Sequence, residues 1–375
     1  MPLFPHSESL PMPHVVTFGE VMIRLMPPGN LRLTQQMPGS LEATFGGAEA
    51  NVAMSICRQG GTATFCTALP DNPLTDAFTH EMRRWGVSVD GILRVPEGRF
   101  GIYFVENGAN QRAGVVTYDR AHSAISLTPG SAYPWDKLFQ NADWLHLTGI
   151  TPSLSETAAE AALMAAQVAV ERGLTVSCDL NFRQKLWRWE AGTPPQELAA
   201  RVMRQLLPFV QVLIANEEDA AKVLGIHAPD TDVHSGQISV AGYQAVAAEV
   251  VRQFPNLKSV AITLRESLSA SHNRWGALYY DATTQTAHAA PRNSHGDYVP
   301  YDITQMIDRV GAGDSFAAGL IFALRTPELS SPDLAVRYAT AASCLKHSLR
   351  GDFNDVTRSE IEALMKGSGG GRVQR

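Results

Sequence analysis

One stretch decides the fold of this chain: Asp308-Arg309-Val310-Gly311-Ala312-Gly313-Asp314-Ser315-Phe316-Ala317-Ala318-Gly319, which continues into an apolar run to Leu324. Gly311 and Gly313 flank a small alanine, so the backbone N–H groups of this turn are open to a ligand. The apolar run predicts a helix that begins near Asp314, and the first N–H groups of a helix have no partner inside it. A glycine turn that leads into a helix N-terminus predicts a binding site for an anion such as phosphate.

Asp314 is unexpected in such a turn, because a carboxylate repels an anion bound beside it. An aspartate at the start of a helix is often only an N-cap, and the sequence leaves this alternative open. The other interpretation is a general base that accepts the proton of a hydroxyl group attacking a phosphoryl group. The chain has no glycine loop that ends in Gly-Lys-Ser/Thr and no third glycine of a dinucleotide fingerprint. A different kind of phosphate-binding fold is therefore indicated.

A second glycine-to-helix junction lies at Phe45-Gly46-Gly47-Ala48-Glu49-Ala50-Asn51 and opens a helix through Arg58. Paired glycines let a ligand approach the backbone, and Asn51 can donate and accept hydrogen bonds with the hydroxyl groups of a polyol. Close packing of the helix explains the two glycines equally well, so the pair is a weak motif by itself.

Both junctions resemble signatures of the ribokinase-like (PfkB) family of sugar kinases. Residues 308–314 match its C-terminal Asp-x-x-Gly-Ala-Gly-Asp, and residues 46–51 match its N-terminal Gly-Gly-Ala-x-x-Asn. The resemblance implies an α/β fold, namely a three-layer sandwich with a mainly parallel central sheet and a small β lid. It also implies roles for individual residues: an anion hole at Gly311, Ala312 and Gly313, a catalytic base at Asp314, and sugar contacts from Gly46, Gly47, Asn51 and Asp314.

The rest of the chain alternates strands with helices, as expected of a parallel sheet with right-handed crossovers. The predicted strands are 15–18, 64–69, 144–147, 174–178 and 212–215, and the predicted helices after the first are 74–85, 156–172, 197–207, 331–347 and 359–365. Two extended segments, 99–106 and 113–118, joined through 107–110, instead predict a β hairpin. We interpret it as a lid that pairs with the stretch after Pro28 and excludes water from the site.

These patterns divide the chain into an α/β kinase domain (12–26, 46–94 and 121–366) and a β lid (27–45 and 95–120). Residues 367–375, rich in glycine and then basic, are expected to form a disordered tail. Residues 227–239 read as an inserted loop with no assigned role.

Polar clusters follow three predicted strands, at residues 179–183, 216–219 and 263–266. Ligands of open parallel sheets bind beyond the carboxyl ends of the strands, so the three clusters predict one site. By resemblance, Asn216 contacts the nucleotide, Asp219 or Glu218 serves Mg²⁺, and Thr263 and Arg265 lie near the nucleotide phosphates. An ion pair between Arg265 and Glu266 is the alternative. The resemblance also places Asn354 at the adenine pocket and Asp308 at a monovalent-cation (K⁺) site.

Four residues suggest an acidic acceptor: Tyr103, Tyr118, Arg120 and Arg183. Amide and carboxylate side chains are sufficient to bind the hydroxyl groups of a ligand. A ligand carboxylate, in contrast, is bound best by arginine, whose rigid guanidinium gives paired charge-assisted hydrogen bonds. The alternative is that Arg120 and Arg183 are surface charges or partners of Asp119 and Asp179.

Five segments resemble the 2-keto-3-deoxygluconate kinases: 118–120 followed by Ser123-Ala124, 147–150, 179–183, Leu186-Trp187 and 351–354. This resemblance implies that Tyr103, Tyr118, Arg120 and Arg183 bind an open-chain sugar acid, with ATP as phosphoryl donor. A kinase of a neutral sugar or nucleoside (fructose, ribose, adenosine) and a non-catalytic binding regulator remain as alternatives.

The composition of the chain narrows the classes of molecule that it is expected to bind. A formal net charge of −6 over 375 residues, without a basic run, argues against nucleic acid or an anionic membrane as the main partner. Four widely spaced cysteines suggest neither a zinc site nor a disulfide framework and fit a cytoplasmic protein. By resemblance we expect a homo-oligomer, a dimer formed through the lid.

Overall fold

The computed structural model describes residues 14–228 and 239–367. Within these ranges the chain forms fourteen strands: β1 (His14–Phe18), β2 (Met22–Met26), β3 (Glu42–Gly46), β4 (Thr62–Pro70), β5 (Ser88–Val95), β6 (Gly101–Glu106), β7 (Val115–Asp119), β8 (Trp144–Thr148), β9 (Thr175–Asp179), β10 (Val212–Asn216), β11 (Ser259–Ser267), β12 (Asn273–Asp281), β13 (Thr286–Ala290) and β14 (Tyr301–Ile303).

The same ranges contain eleven α-helices: α1 (Leu33–Gln36), α2 (Ala48–Arg58), α3 (Pro73–Arg84), α4 (Ala124–Leu127), α5 (Trp135–Leu138), α6 (Glu156–Glu171), α7 (Pro195–Leu206), α8 (Val240–Gln253), α9 (Ala312–Leu324), α10 (Pro332–Lys346) and α11 (Arg358–Met365). The predicted strands and helices are all present, with ends that differ by a few residues.

The main sheet has the strand order β13-β12-β11-β10-β9-β8-β1-β4-β5, and β14 also pairs with β12. The seven strands from β11 to β5 are parallel, and β12, β13 and β14 form an antiparallel edge. All five residues of β8 are buried, as expected of a central parallel strand with both faces covered. The predicted α/β fold with a mainly parallel sheet is confirmed.

Helices cover both faces of this sheet and create two cores. Val16 and Phe18 of β1 pack toward α6, α7 and α8, whereas Val15 packs toward α2, α9 and α10. Alternate residues of a strand point to opposite faces, so one apolar strand can serve both cores. The alanines that α6 buries keep it close to the sheet. The result is the predicted three-layer sandwich.

The lid is a second sheet of four strands in the order β3-β2-β6-β7. The predicted hairpin is confirmed, since β6 and β7 pair antiparallel. The expected partner of the hairpin is wrong: β6 pairs with β2, and the stretch after Pro28 supplies β3 at the far side of β2. β2 lies in segment 12–26, which the sequence assigned to the α/β domain, because only 19–21 separate it from β1. Its alternating pattern buries Met22 and Met26 against Tyr103 of β6.

Most of segment 227–239 and of the predicted tail lies outside the described residues. Among the residues that are described, no helix is both long enough and apolar enough to cross a membrane.

Candidate active site

A cavity of about 610 Å³ lies at the carboxyl ends of the central strands and is lined by residues of both sheets. It brings together most of the residues predicted from the sequence: Gly47, Asn51, Tyr103, Tyr118, Arg120, Arg183, Asn216, Thr263, Arg265, Gly311, Ala312, Gly313 and Asp314. The other five predicted residues, Gly46, Glu218, Asp219, Asp308 and Asn354, do not line it. The three polar clusters therefore meet at one site, as predicted.

The glycine turn leaves open space at the N-terminus of α9. Gly311 is the N-cap with φ +84°, and a Cβ there would lie 2.3 Å from the backbone oxygen of Asp352. Both the left-handed conformation and this close contact exclude a larger residue. A Cβ at Gly313, in contrast, would meet no atom of the described part of the chain within 4 Å. The N-terminus of α9 therefore faces open space that an anion can occupy.

Asp314 is the third residue of α9, and the N-cap position is occupied by Gly311, which has no side chain. The N-cap alternative is therefore wrong. One carboxylate oxygen, Oδ2, accepts a hydrogen bond of 2.6 Å from Nδ2 of Asn51. Burial raises the pKa of Asp314 from 3.8 to about 6, although the Asn51 hydrogen bond opposes this rise. A carboxylate with a pKa near 6 is ionised at neutral pH and still able to take a proton.

The second glycine junction combines the two roles that the sequence left open. Gly47 lines the cavity and caps α2, and its N–H group donates to Oδ1 of Asn51 at 3.3 Å. A Cβ at Gly47 would lie 2.2 Å from the backbone oxygen of Glu20, and a Cβ at Gly46 would lie 2.2 Å from Oδ2 of Asp352. Gly46 thus serves close packing, whereas Gly47 serves both packing and the cavity.

Asp352 is a site residue that the sequence analysis did not assign. Its carboxylate accepts hydrogen bonds from the Tyr103 hydroxyl at 2.6 Å, from Arg24 at 2.8 Å and, at 3.5 Å, from Asn51. Asp352 therefore connects Tyr103 and Arg24 of the lid to Asn51, which holds Asp314. The sequence feature that indicates this connection is Arg24, a charged residue at a position that the strand pattern buries.

The two predicted arginines differ in their surroundings. Arg120 forms a buried ion pair with Glu20, and its guanidinium lies 5.3 Å from the centre of the Tyr118 ring. Asp119, the expected alternative partner of Arg120, is instead bound by Arg99 through two hydrogen bonds of 2.5 and 2.9 Å.

Arg183 is exposed at the cavity, and the one hydrogen bond that its side chain makes with the described residues is to the backbone oxygen of Phe182 at 3.4 Å. Among the described residues no carboxylate lies within ion-pairing distance of it, Asp179 included. Arg183 is therefore available to an anionic ligand.

The carboxylates after β10 point in different directions. Asp219 is buried outside the cavity and accepts backbone hydrogen bonds from Phe182 at 3.2 Å and Asn216 at 3.0 Å. Glu218 forms an ion pair of 2.7 Å with Lys222. Asp219 thus ties the ends of β9 and β10 together, and the predicted metal role of either residue has no direct support from these contacts.

Glu217, which the sequence analysis passed over, is the carboxylate that lines the cavity here. Arg265 donates to its Oε1 at 3.1 Å, while Oε2 is buried without a partner among the described residues. The alternative pairing of Arg265 with Glu266 is wrong, because Glu266 pairs with Arg274 at 3.3 Å. Burial raises the pKa of Glu217, although Arg265 opposes the rise.

Comparison with known proteins agrees with this geometry. Residues 12–357 match the model of the pfkB family carbohydrate kinases. The chain belongs to this family. A curated relative, the 2-dehydro-3-deoxygalactonokinase of Haloferax volcanii, is 32% identical over 357 residues, which is 95% of this chain and 98% of the relative. Fructokinase-2 of Solanum habrochaites is 26% identical and covers 94% of this chain and 96% of its own length.

Among solved structures, the 2-dehydro-3-deoxygluconokinase of Thermotoga maritima is 43% identical to this carbohydrate kinase. The alignment covers 95% of this chain and 100% of that one, with a TM-score of 0.84. A PfkB carbohydrate kinase from Listeria grayi is 29% identical, covers 94% of this chain and 99% of its own, and has a TM-score of 0.81. These full-length matches confirm the predicted ribokinase-like fold and make the protein a sugar kinase.

The predicted adenine-pocket residue of the kinase lies away from the cavity. Asn354 is buried, and its Nδ2 donates to the backbone oxygen of Ala342 at 3.2 Å. Two aromatic residues that the sequence analysis did not assign, Trp275 and His347, also line the cavity, with ring centres 5.1 Å apart. Burial lowers the pKa of His347 to about 4, so the ring is neutral at physiological pH. Sequence reasoning missed this pair because its members come from β12 and the end of α10.

Proposed function

We propose that this kinase transfers the γ-phosphoryl group of ATP to the terminal primary hydroxyl of 2-keto-3-deoxygluconate. The observation that carries the proposal is the position of Arg183, a guanidinium without a carboxylate partner among the described residues, in the same cavity as Asp314. Two relatives at 32% and 43% identity are named as kinases of the same class of acceptor, a 2-keto-3-deoxy sugar acid.

Asp314 acts as the general base. As the acceptor oxygen forms its bond to the γ-phosphorus, the bond from that phosphorus to the leaving oxygen of ADP breaks, and the hydroxyl proton passes to Asp314. Asn51 holds the carboxylate by its 2.6 Å hydrogen bond, and Asp352 lies behind Asn51. The base is thereby oriented before the acceptor binds.

The turn from Gly311 to Gly313 supplies the anion hole. Its N–H groups lie at the N-terminus of α9, and the open side of Gly313 leaves room for a phosphoryl group. Donors that are fixed before the reaction stabilise negative charge more effectively than water, which must reorient.

Asn216, Glu217, Thr263 and Arg265 form the end of the cavity that we assign to ATP. The residues fit Mg²⁺, because Glu217 presents a buried carboxylate oxygen without a partner among the described residues and oxygen is the ligand that Mg²⁺ prefers. Bound there with ATP, Mg²⁺ would neutralise phosphate charge. Glu217 thus takes the role that the sequence analysis gave to Glu218 or Asp219.

The acceptor lies at the lid end, where Tyr103, Tyr118 and Arg120 line the cavity. Arg183 binds the acceptor carboxylate, because its charge has no carboxylate within ion-pairing distance among the described residues. Arg120 is already paired with Glu20 and contributes hydrogen-bond donors more than net charge.

This neutralisation of Arg120 favours a second candidate, a kinase of a neutral sugar, as in the fructokinase relative. The two candidates differ in their dependence on Arg183. Arg183→Ala should lower kcat/KM for 2-keto-3-deoxygluconate by about ten- to a hundredfold, since a charge-assisted hydrogen bond contributes about 1.5–3 kcal/mol. Arg188→Ala, at an exposed position nearby, is the matched control and should have no effect. An equal, small loss for both variants would refute recognition of an acid by Arg183.

We further propose a cytoplasmic dimer. The four cysteines are free, as expected in a reducing compartment. The lid has two edge strands, β3 and β7, and an unpaired edge is a site where a second chain can add. Light scattering after size exclusion measures the mass, and a monomer at micromolar concentration would refute the dimer.

A further inference from the structure

The surroundings of Asp308 do not fit the monovalent cation that the family resemblance led us to expect there. An alkali cation is held by oxygen atoms that replace its water. Both oxygens of Asp308 are already used: Oδ2 accepts from Arg24 at 2.5 Å and from the Gly351 N–H group at 3.1 Å, and Oδ1 accepts from the Val310 N–H group at 3.1 Å. A cation at this carboxylate would have to displace a guanidinium.

Arg24 is a fully buried charge that the lid brings to the main domain. It lies on β2, and its two terminal nitrogens contact Asp308 at 2.5 Å and Asp352 at 2.8 Å. Although burial by itself lowers the pKa of Arg24, Asp352 and Asp308 outweigh it and raise this pKa above its ordinary value. A guanidinium therefore fixes the two carboxylates on either side of the glycine turn.

Lys346, the last residue of α10, provides a second buried cation behind the same turn. Its side chain is fully buried, and Nζ donates to the backbone oxygen of Leu349 at 3.1 Å. Its Cε lies 3.3 Å from the position that a Cβ of Gly311 would take. Burial lowers the pKa of Lys346, and Asp308 and Asp352 oppose that change. Lys346 also donates its hydrogen bond to a loop carbonyl, and this oxygen is of the kind that an alkali ion would need.

Positive charge already occupies the position beside Asp308. Arg24 and Lys346 lie behind the turn, next to the carboxylates of Asp308 and Asp352. Asp314 adds a negative charge on the cavity side of the turn, where Asn51 holds it. A metal cation at Asp308 would lie beside the buried guanidinium of Arg24, and like charges in contact away from water repel strongly. The side chains therefore supply the positive charge that Asp308 needs.

We propose that Arg24 and Lys346 are fixed cations that take the place of a monovalent metal ion beside the anion hole, so that phosphoryl transfer in this kinase does not require K⁺. Their charge lies behind the turn that receives the phosphoryl group and offsets part of its negative charge. Because Arg24 belongs to the lid sheet, one of the two cations is supplied by the lid.

The first test uses the wild-type protein and exchanges the salt. Turnover with the acceptor that the kinase phosphorylates is measured in KCl, NaCl and choline chloride at equal ionic strength. We expect kcat to agree within about twofold in the three salts, and the unfolding temperature to agree within about 1 °C, since an ion that binds the native state would raise it. A tenfold gain in KCl, or a rise of several degrees specific to KCl, would overturn the proposal. The thermal measurement needs no acceptor, so it stands even if the acceptor is not a sugar acid.

The second test removes one fixed cation. Lys346→Ala should lower kcat at least tenfold in choline chloride and regain at least threefold in KCl or ethylammonium chloride, because the vacated space then admits a cation. Lys366→Ala, at an exposed lysine on the surface, is the matched control and should respond to neither salt. A folded Lys346→Ala variant that keeps wild-type turnover, or stays inactive in every salt, would contradict the assignment. If this variant does not fold, the wild-type salt series decides alone.

Discussion

Replacing Asp314 by asparagine should abolish turnover and stabilise the fold at the same time. The carboxylate that accepts the proton is ionised at neutral pH, and the burial of this charge destabilises the folded protein. The amide oxygen of asparagine can still accept the hydrogen bond from Asn51, so the packing is retained. Loss of the base should lower kcat by roughly a hundredfold or more. Loss of the charge should raise the free energy of unfolding.

The size of the stability gain follows from the pKa of Asp314, which burial raises from 3.8 to about 6. At about 1.4 kcal/mol per pKa unit the ionised group costs about 3 kcal/mol at pH 8, and we reduce this to roughly 1–2 kcal/mol because the side chain is partly exposed to solvent. A neutral carboxyl carries no such penalty. The cost is therefore absent below the unfolded value, grows between about pH 4 and pH 6, and is complete above pH 6.

Urea unfolding of the wild type and of Asp314→Asn at pH 8 and pH 5 measures this difference. The variant should be more stable by about 1–2 kcal/mol at pH 8 and by about half of that at pH 5. Asp90→Asn, at an exposed position, is the control and should leave both stability and turnover unchanged. The reasoning is refuted if Asp314→Asn keeps more than a tenth of wild-type turnover, or if its stability gain is the same at both pH values.

Four further predictions concern the pH dependence of turnover and substitutions at Gly313, Gly311 and Asp219. In the wild type, kcat/KM should fall about tenfold per unit below about pH 6 as Asp314 takes up a proton, and a profile that is flat to pH 5 would exclude it as the base. Gly313→Ala adds a Cβ that has no neighbour within 4 Å in residues 14–228 and 239–367, so thermal unfolding should be unchanged while kcat/KM for ATP falls about tenfold; full activity would mean that no phosphate lies there. Gly311→Ala should instead cost about 2–4 kcal/mol in urea unfolding, from the left-handed backbone and the 2.3 Å contact, and a stable variant would contradict the turn geometry. Asp219→Ala should cost roughly 2–4 kcal/mol because two backbone N–H groups lose their acceptor; unchanged stability with a higher requirement for Mg²⁺ would restore its predicted metal role.

The order of strands and helices was predictable because the apolar pattern is regular and because two separated motifs agree with one family. The lid boundary was not, since β1 and β2 are both short apolar strands and only their hydrogen-bond partners separate them. A pattern shows that a strand is buried, but it does not show which sheet buries it.

In the site, motif residues were predictable and their connections were not. Asp314 and the glycines of its turn stand out through their local spacing together with the family resemblance, and all line the cavity. Arg24 and Asp352 are 328 residues apart and meet only because the lid folds onto the loop after α10. The choice among Glu217, Glu218 and Asp219 likewise depends on side-chain direction at a strand end, which residue type alone does not reveal.

The most direct test of the acceptor is the release of ADP with ATP and Mg²⁺ against 2-keto-3-deoxygluconate, 2-keto-3-deoxygalactonate, gluconate, fructose, ribose and adenosine. We predict that a 2-keto-3-deoxy acid has a kcat/KM about ten- to a hundredfold above that of every neutral acceptor, the ratio expected from one guanidinium–carboxylate contact. Preferential turnover of fructose, ribose or adenosine would contradict an acid-binding site at Arg183.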